Sequence, residues 1–291
     1  FTCLPVPLAC FIAAEMLRGL HYAHTRTSED GQALCIVHRD ISPDNVMLSF
    51  EGQTKLVDFG VAKSQMRGRA ETEPGLVKGK FHFLSPEQAK GEPVDARTDV
   101  FATGIVLYRL LCGRLPFEGQ GHVAMRAITQ GHYPAALTVN PRLPAPVVEV
   151  VTRALQSKRE SRYFTALQMA DALRDYLADS APRVSSETLR AFVWWVFEDE
   201  LEAEGIHRGI SRFERDEIER WRDEVAAGSP QPVGERTTVP TLATPQPETT
   251  VETPRPIVRP PLVSRVVMAL GGGTLLLALV VAGYVAWEVR R

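Results

Sequence analysis

From Val100 to Cys112 the chain is apolar on almost every side, with Arg109 as the one charged residue. A helix that is apolar all round is stable only when other elements surround it. This segment therefore predicts a globular, multi-helix core with itself at the centre. Other stretches supply the surrounding layer. Leu8, Phe11, Ile12, Met16, Leu17 and Leu20 share one face, which predicts an amphipathic helix over 7–24. The segments 144–156 and 165–177 read as two more helices joined by a charged turn. The polar insert Thr25 to Gly31 breaks the helical pattern. Ile36-Val37, Val46-Met47-Leu48 and Lys55-Leu56-Val57 are short β-prone runs, and residues 76–90 have no clean period and read as loop.

Apolar residues make up 44% of the 291, enough to bury a sizeable core. The formal charge of −2 gives no reason to expect a nucleic-acid partner. Cys3, Cys10, Cys35 and Cys112 are scattered without a CxxC pair, so they read as buried thiols and not as a zinc site or disulfide framework.

Past residue 180 the character changes. Residues 186–203 are aromatic-rich and amphipathic, with Leu189, Phe192, Val193, Val196 and Leu201 at helical spacing, and Trp194 and Trp195 are expected to pack against the core. Residues 213–226 form a highly charged helix candidate with opposite-sign pairs. Residues 229–262 are rich in Pro, Thr and Glu, so an extended, disordered linker is expected there. Val266 to Trp287 then contains no charge, with Arg265 before it and Glu288, Arg290 and Arg291 after. Length and flanks predict a bilayer-spanning helix. Its Gly271-Gly272-Gly273 run would admit close helix packing, and with it dimerisation. The organisation expected is a core over 1–180, a helical extension over 181–228, a linker over 229–262, a transmembrane helix over 263–288 and a tail over 289–291.

The residues that carry chemistry lie beside the β-prone runs. His38-Arg39-Asp40-Ile41-Ser42-Pro43-Asp44-Asn45 is followed by Asp58-Phe59-Gly60, then by Phe83-Leu84-Ser85-Pro86-Glu87-Gln88. Asp99 stands at the head of the apolar helix, and Leu115-Pro116-Phe117 follows Gly113. In this order and spacing they resemble the HRD catalytic loop, DFG metal loop and APE motif of serine/threonine protein kinases of the eukaryotic-like, membrane-anchored bacterial kind. The resemblance covers residues of about 5–178. It implies an α+β fold: a kinase-like C-lobe, mainly α-helical, with short β-hairpins at the catalytic and metal loops, plus the one transmembrane helix.

The same resemblance implies ATP and Mg2+, with Mn2+ as an alternative, and a protein substrate. Phosphoryl transfer needs a carboxylate that orients the attacking hydroxyl and accepts its proton, and oxygen ligands that hold the metal on the phosphates. By the resemblance Asp40 is that base, while Asn45 and Asp58 are the metal and nucleotide ligands. His38, Phe59 and Gly60 shape the two loops. Glu87 is expected to pair with Arg162, and Asp99 to hydrogen-bond the catalytic-loop backbone.

Two positions depart from the family pattern. The lysine usually found two residues after the catalytic Asp is Ser42, and the threonine before the APE motif is Lys80. Lys80 is therefore expected to supply the charge that Ser42 lacks. Arg39, beside Asp40, suggests control by phosphorylation of the activation segment, with Thr72 as the candidate acceptor and Ser64 as the alternative.

The expected function is ATP-dependent phosphorylation of Ser/Thr hydroxyls on proteins, with a pseudokinase docking module as the alternative. A small-molecule phosphotransferase would not be expected to carry the Ser85-Pro86-Glu87 segment. No GxGxxG loop or VAIK-like lysine occurs, and the chain opens on Phe1. A chain truncated before its N-terminal lobe, and inactive as it stands, is therefore expected. The expected location is the cell membrane, single-pass, with the core on the cytoplasmic side.

Overall fold

The protein, seen here as a computed structural model, is described over residues 3–59, 80–206, 209–228, 269–271 and 274–277. Helix α1 (Val6–His24) follows Pro5 and buries Leu8, Ile12, Met16, Leu17 and Leu20. The expected stripe is thus its inward face. A short hairpin comes next, β1 (Val46–Ser49) antiparallel to β2 (Thr54–Leu56), with Val46 opposite Leu56. Ile36 and Val37 form no strand; they lead into the loop before the hairpin. The described part of 76–90 is more ordered than the loop that its lack of period predicts. A 3-10 turn (Lys80–Phe83) runs into α2 (Pro86–Lys90), started by a capping box between Ser85 and Gln88.

Helix α3 (Arg97–Cys112) is the centre that the sequence calls for. Every residue from Thr98 to Tyr108 is buried, and Arg109 is only partly so. Helix α4 (His122–Gln130) packs against α2, while α5 (Ala136–Val139), α6 (Ala145–Ala154) and α7 (Ala166–Ser180) pack against α3. Helix α1 packs against both α3 and α7. Helices α3 and α6 approach closely at Gly104, where a Cβ would stand 2.8 Å from the Ala154 Cβ. The aromatic stretch 186–203 divides in two, α8 (Ser186–Val196) and α9 (Glu198–Ala203), before α10 (Arg212–Gly228).

The cysteines follow expectation only in part. Cys10 is buried, and burial pushes its thiol up to about 12, whereas Cys35 is exposed.

The membrane-spanning helix expected over 263–288 is corrected. The described parts of that stretch are two strands, β3 (Ala269–Gly271) and β4 (Thr274–Leu277), in the order β2-β1-β4-β3. No helix among the described residues is long and apolar enough to cross a membrane. An unbroken apolar run carries no period and does not choose between helix and strand, and adjacent glycines weaken a helix interior. The membrane partner, the single-pass location and the cytoplasmic placement all rested on that helix and fall with it. The fold is mostly helical with a small sheet. The expected linker, Gly60, Ser64 and Thr72 lie outside the described residues.

Candidate active site

The loop between α1 and β1 is fixed from the head of α3. Asp99, fully buried, accepts the backbone N–H of His38 on Oδ2 and that of Arg39 on Oδ1, both at 2.8 Å. His24 Nε2, from the end of α1, meets Oδ2 at 2.8 Å. Arg39 is held at φ +66, a left-handed conformation that costs a non-glycine residue about 1–3 kcal/mol unless its surroundings impose it. The other flank of the same residue is held as well. Gln88 Nε2 donates to the Arg39 carbonyl at 2.8 Å, while the Gln88 Oε1 accepts the Ser85 N–H at 3.0 Å.

Asp40 is thereby set on a backbone with little freedom. Its carbonyl accepts from Asn45 Nδ2 at 2.5 Å, and its N–H points to His38 Nδ1 at 3.4 Å. His38 Nε2 lies 3.0 Å from the Val57 carbonyl, so one neutral tautomer, protonated on Nε2, satisfies both ring nitrogens. The His38 ring packs on Phe59 at 4.5 Å between centroids. Val57 N–H donates to the Asn45 carbonyl at 3.0 Å, which brings Asn45 beside Asp58 at the base of the hairpin.

Asn45 and Asp58 fit a Mg2+ site. The Asn45 amide nitrogen is spent on Asp40, so an oxygen is the group it has left to offer. Asp58 is exposed, at φ +57. A hard oxygen set of one amide and one carboxylate suits Mg2+, which binds few protein ligands and completes its shell with phosphate and water.

Glu87 and Arg162 come together 75 residues apart in sequence, in a two-pronged ion pair with both contacts at 2.8 Å. Thr98 Oγ1 donates to the same carboxylate at 2.8 Å. Arg162 also donates to the carbonyls of Gln156, Ser157 and Arg97, and its guanidinium stacks on the Phe101 ring at 4.6 Å. Burial alone would raise the Glu87 pKa, but the hydrogen bond and charge of Arg162, with Thr98, outweigh it and hold it below the ordinary value.

Ser42 is buried, and its Oγ has no hydrogen-bond partner among the described residues. Lys80 opens the 3-10 turn before Phe83. His24, Gln88 and Thr98 were not foreseen as site residues. Gln88 alone left a signal, the capping-box spacing from Ser85.

A protein kinase domain model matches residues 3–175. The match opens at residue 3, which overturns the expectation that the chain holds only a C-terminal lobe. The chain is 39% identical over 198 residues to the tyrosine-protein kinase MasK of Myxococcus xanthus, 68% of this chain and 30% of that one. It is 36% identical over 188 residues to the serine/threonine-protein kinase PknB of Mycolicibacterium smegmatis, 62% of this chain and 28% of the relative. A probable serine/threonine-protein kinase of Clostridium perfringens is 33% identical over 187 residues, 64% and 26% respectively. The chain thus spans less than a third of the length of these relatives.

The buried ion pair makes a stability prediction. Arg162→Ala should cost about 3–5 kcal/mol in denaturant unfolding, because it strands a buried carboxylate. The Glu87 carboxyl has a lowered pKa, so its contribution is present above the ordinary carboxyl range and is lost as pH falls through the lower folded value. The stability gap between wild type and Glu87→Gln should therefore be full at neutral pH and close only below about pH 4.

Proposed function

The chain belongs to the protein kinase family, and from that premise we propose that it transfers the terminal phosphate of ATP to serine and threonine hydroxyls of proteins. The observation that carries this reading is the pinned Asp40 backbone, with Asn45 and Asp58 placed beside it by the base of the hairpin. Mg2+ bound with ATP supplies charge neutralisation at the phosphates. The residues of the chain do the rest. Asp40 orients the acceptor hydroxyl and takes its proton, while Asn45 and Asp58 hold the metal. Asp99 and Gln88 remove the backbone freedom that would otherwise be lost on reaching the reactive geometry.

A second reading, tyrosine as acceptor, has two supports. Ser42 replaces the lysine that marks serine/threonine kinases, and the Myxococcus relative is described as a tyrosine-protein kinase. Two of the three relatives given above are described as serine/threonine-protein kinases, one of them as probable, which supports the first reading.

Arg39 bears on regulation. Its Nε is buried without a partner among the described residues, which suits capture of a phosphate carried by Thr72 or Ser64. Active protein with neither residue modified, by mass spectrometry, would remove that scheme.

The full-length protein incubated with labelled ATP and Mg2+ should yield phosphoserine and phosphothreonine on acid hydrolysis. Phosphotyrosine alone would select the second reading, and no transfer would leave a docking module. Asp40→Asn should lower kcat by about 10²–10⁴ without unfolding the protein. The exchange of cations is tested separately. Lys80→Ala should abolish transfer and Ser42→Lys should restore it in that background; full activity of Lys80→Ala would sink the exchange.

A further inference from the structure

The helices after residue 180 lie outside the kinase-domain match, yet one of them is joined to the active-site hairpin. Trp194, on α8, donates its indole Nε1–H to the Phe50 carbonyl at 2.8 Å, across 144 residues of sequence. The Phe50 ring meets Trp194 edge-on at 5.5 Å and Phe197 at 6.2 Å between centroids. All of Phe50, Phe192 and Trp194 are buried. Next in the turn is Gly52, at φ +75, where a Cβ would stand 1.8 Å from the Ser186 carbonyl oxygen and 2.8 Å from the Arg190 nitrogen. The turn and the helix are therefore fitted backbone to backbone, and only glycine fits between them.

The hairpin so gripped is the one whose two ends carry the metal ligands. Asn45 immediately precedes β1, and Asp58 follows β2 after one intervening residue. The strands are only four and three residues long, and β4 pairs with β1 only at Leu48 and Ser49, away from Asn45 and Asp58, so among the described residues the sheet adds no third strand at the ends that carry the ligands. Rigid support at the turn limits how far those ends can shift. Charges also tie α8 and α9 to α10. Arg190 reaches Glu214 at 2.9 Å, and Arg215 pairs with Glu198. From α10 the Glu224 carbonyl accepts from Arg142 Nη1 at 2.9 Å, which returns the extension to the core.

We propose that Trp194 is a positioning residue for the metal site: the α8 helix clamps the hairpin turn and thereby sets the spacing of Asn45 and Asp58. The inference rests on the kinase reading for what those ligands hold, and two arms of its test do not depend on phosphate transfer. In the full-length protein, Trp194→Ala and Trp194→Phe are compared with wild type by hydrogen exchange, by calorimetric titration of Mn2+·ADP, and by the Mg2+ dependence of phosphate transfer. Outer-shell substitutions at metal sites typically cost about 10–100-fold in affinity. Trp194→Ala is expected to weaken Mn2+·ADP binding by about tenfold, to raise the Mg2+ needed for half-maximal rate in step, and to speed amide exchange over residues 46–57 several-fold. Trp194→Phe, which keeps a ring and loses the donor, should fall between.

If Trp194→Ala fails to fold, Trp194→Phe carries the test, because it keeps a ring against Phe50 and loses only the indole donor. A folded variant with unchanged metal affinity overturns the proposal, even if exchange over 46–57 quickens, since that outcome marks a purely structural contact. Wild-type protein that transfers no phosphate would count against the proposed function alone. The exchange and Mn2+·ADP arms would still decide this one.

Discussion

The buried carboxylate of Asp99 is the constraint on which most of the active-site geometry depends. A carboxylate with no exposure is tolerable only if its lone pairs are occupied. Here the occupants are the backbone amides of His38 and Arg39 and the imidazole of His24. Its place in the first turn of α3 adds the favourable end of the helix dipole. The central helix cannot settle into the core without drawing the catalytic loop onto its end. Core packing and the left-handed backbone at Arg39 are therefore one event.

Two neighbours of Asp99 serve other segments in the same way. The Arg97 carbonyl accepts from Arg162, and the Thr98 hydroxyl donates to Glu87. Three consecutive residues at one helix terminus thus hold the catalytic loop, the end of the activation segment and the turn before α7. Gln88 closes the circuit, since it belongs to the activation segment and bonds the catalytic loop directly. A displacement at Glu87 is felt at the Arg39 peptide through one helical turn.

What was legible in the sequence was whatever had a period or a fixed local spacing. The apolar α3 and the stripe of α1 follow from side chains that repeat every three or four residues. The catalytic and metal loops are contiguous, so their order and spacing survive in one dimension. His24 is different. Its contact with Asp99 spans 75 positions and depends on how α1 crosses α3, for which no local pattern codes. Thr98 was hidden because it lies ahead of the apolar run and no local pattern marks it as a partner of Glu87. The run 266–287 misled because apolarity reports burial and not secondary structure.

The hairpin shows why a kinase-like site needs support from outside its own loops. Its two strands share a register of only three pairs, from Val46 opposite Leu56 to Leu48 opposite Thr54. On one side Leu56 reaches α1 beside Gly19, where a Cβ would stand 3.7 Å from the Leu56 Cδ1. That contact steadies the base of the hairpin, and β4 adds two pairs nearer the turn, at Leu48 and Ser49. The turn itself is held at the Phe50 carbonyl and at Gly52, and α8 occupies both. A segment beyond the matched kinase domain thus completes a support that the domain's own strands are too short to give.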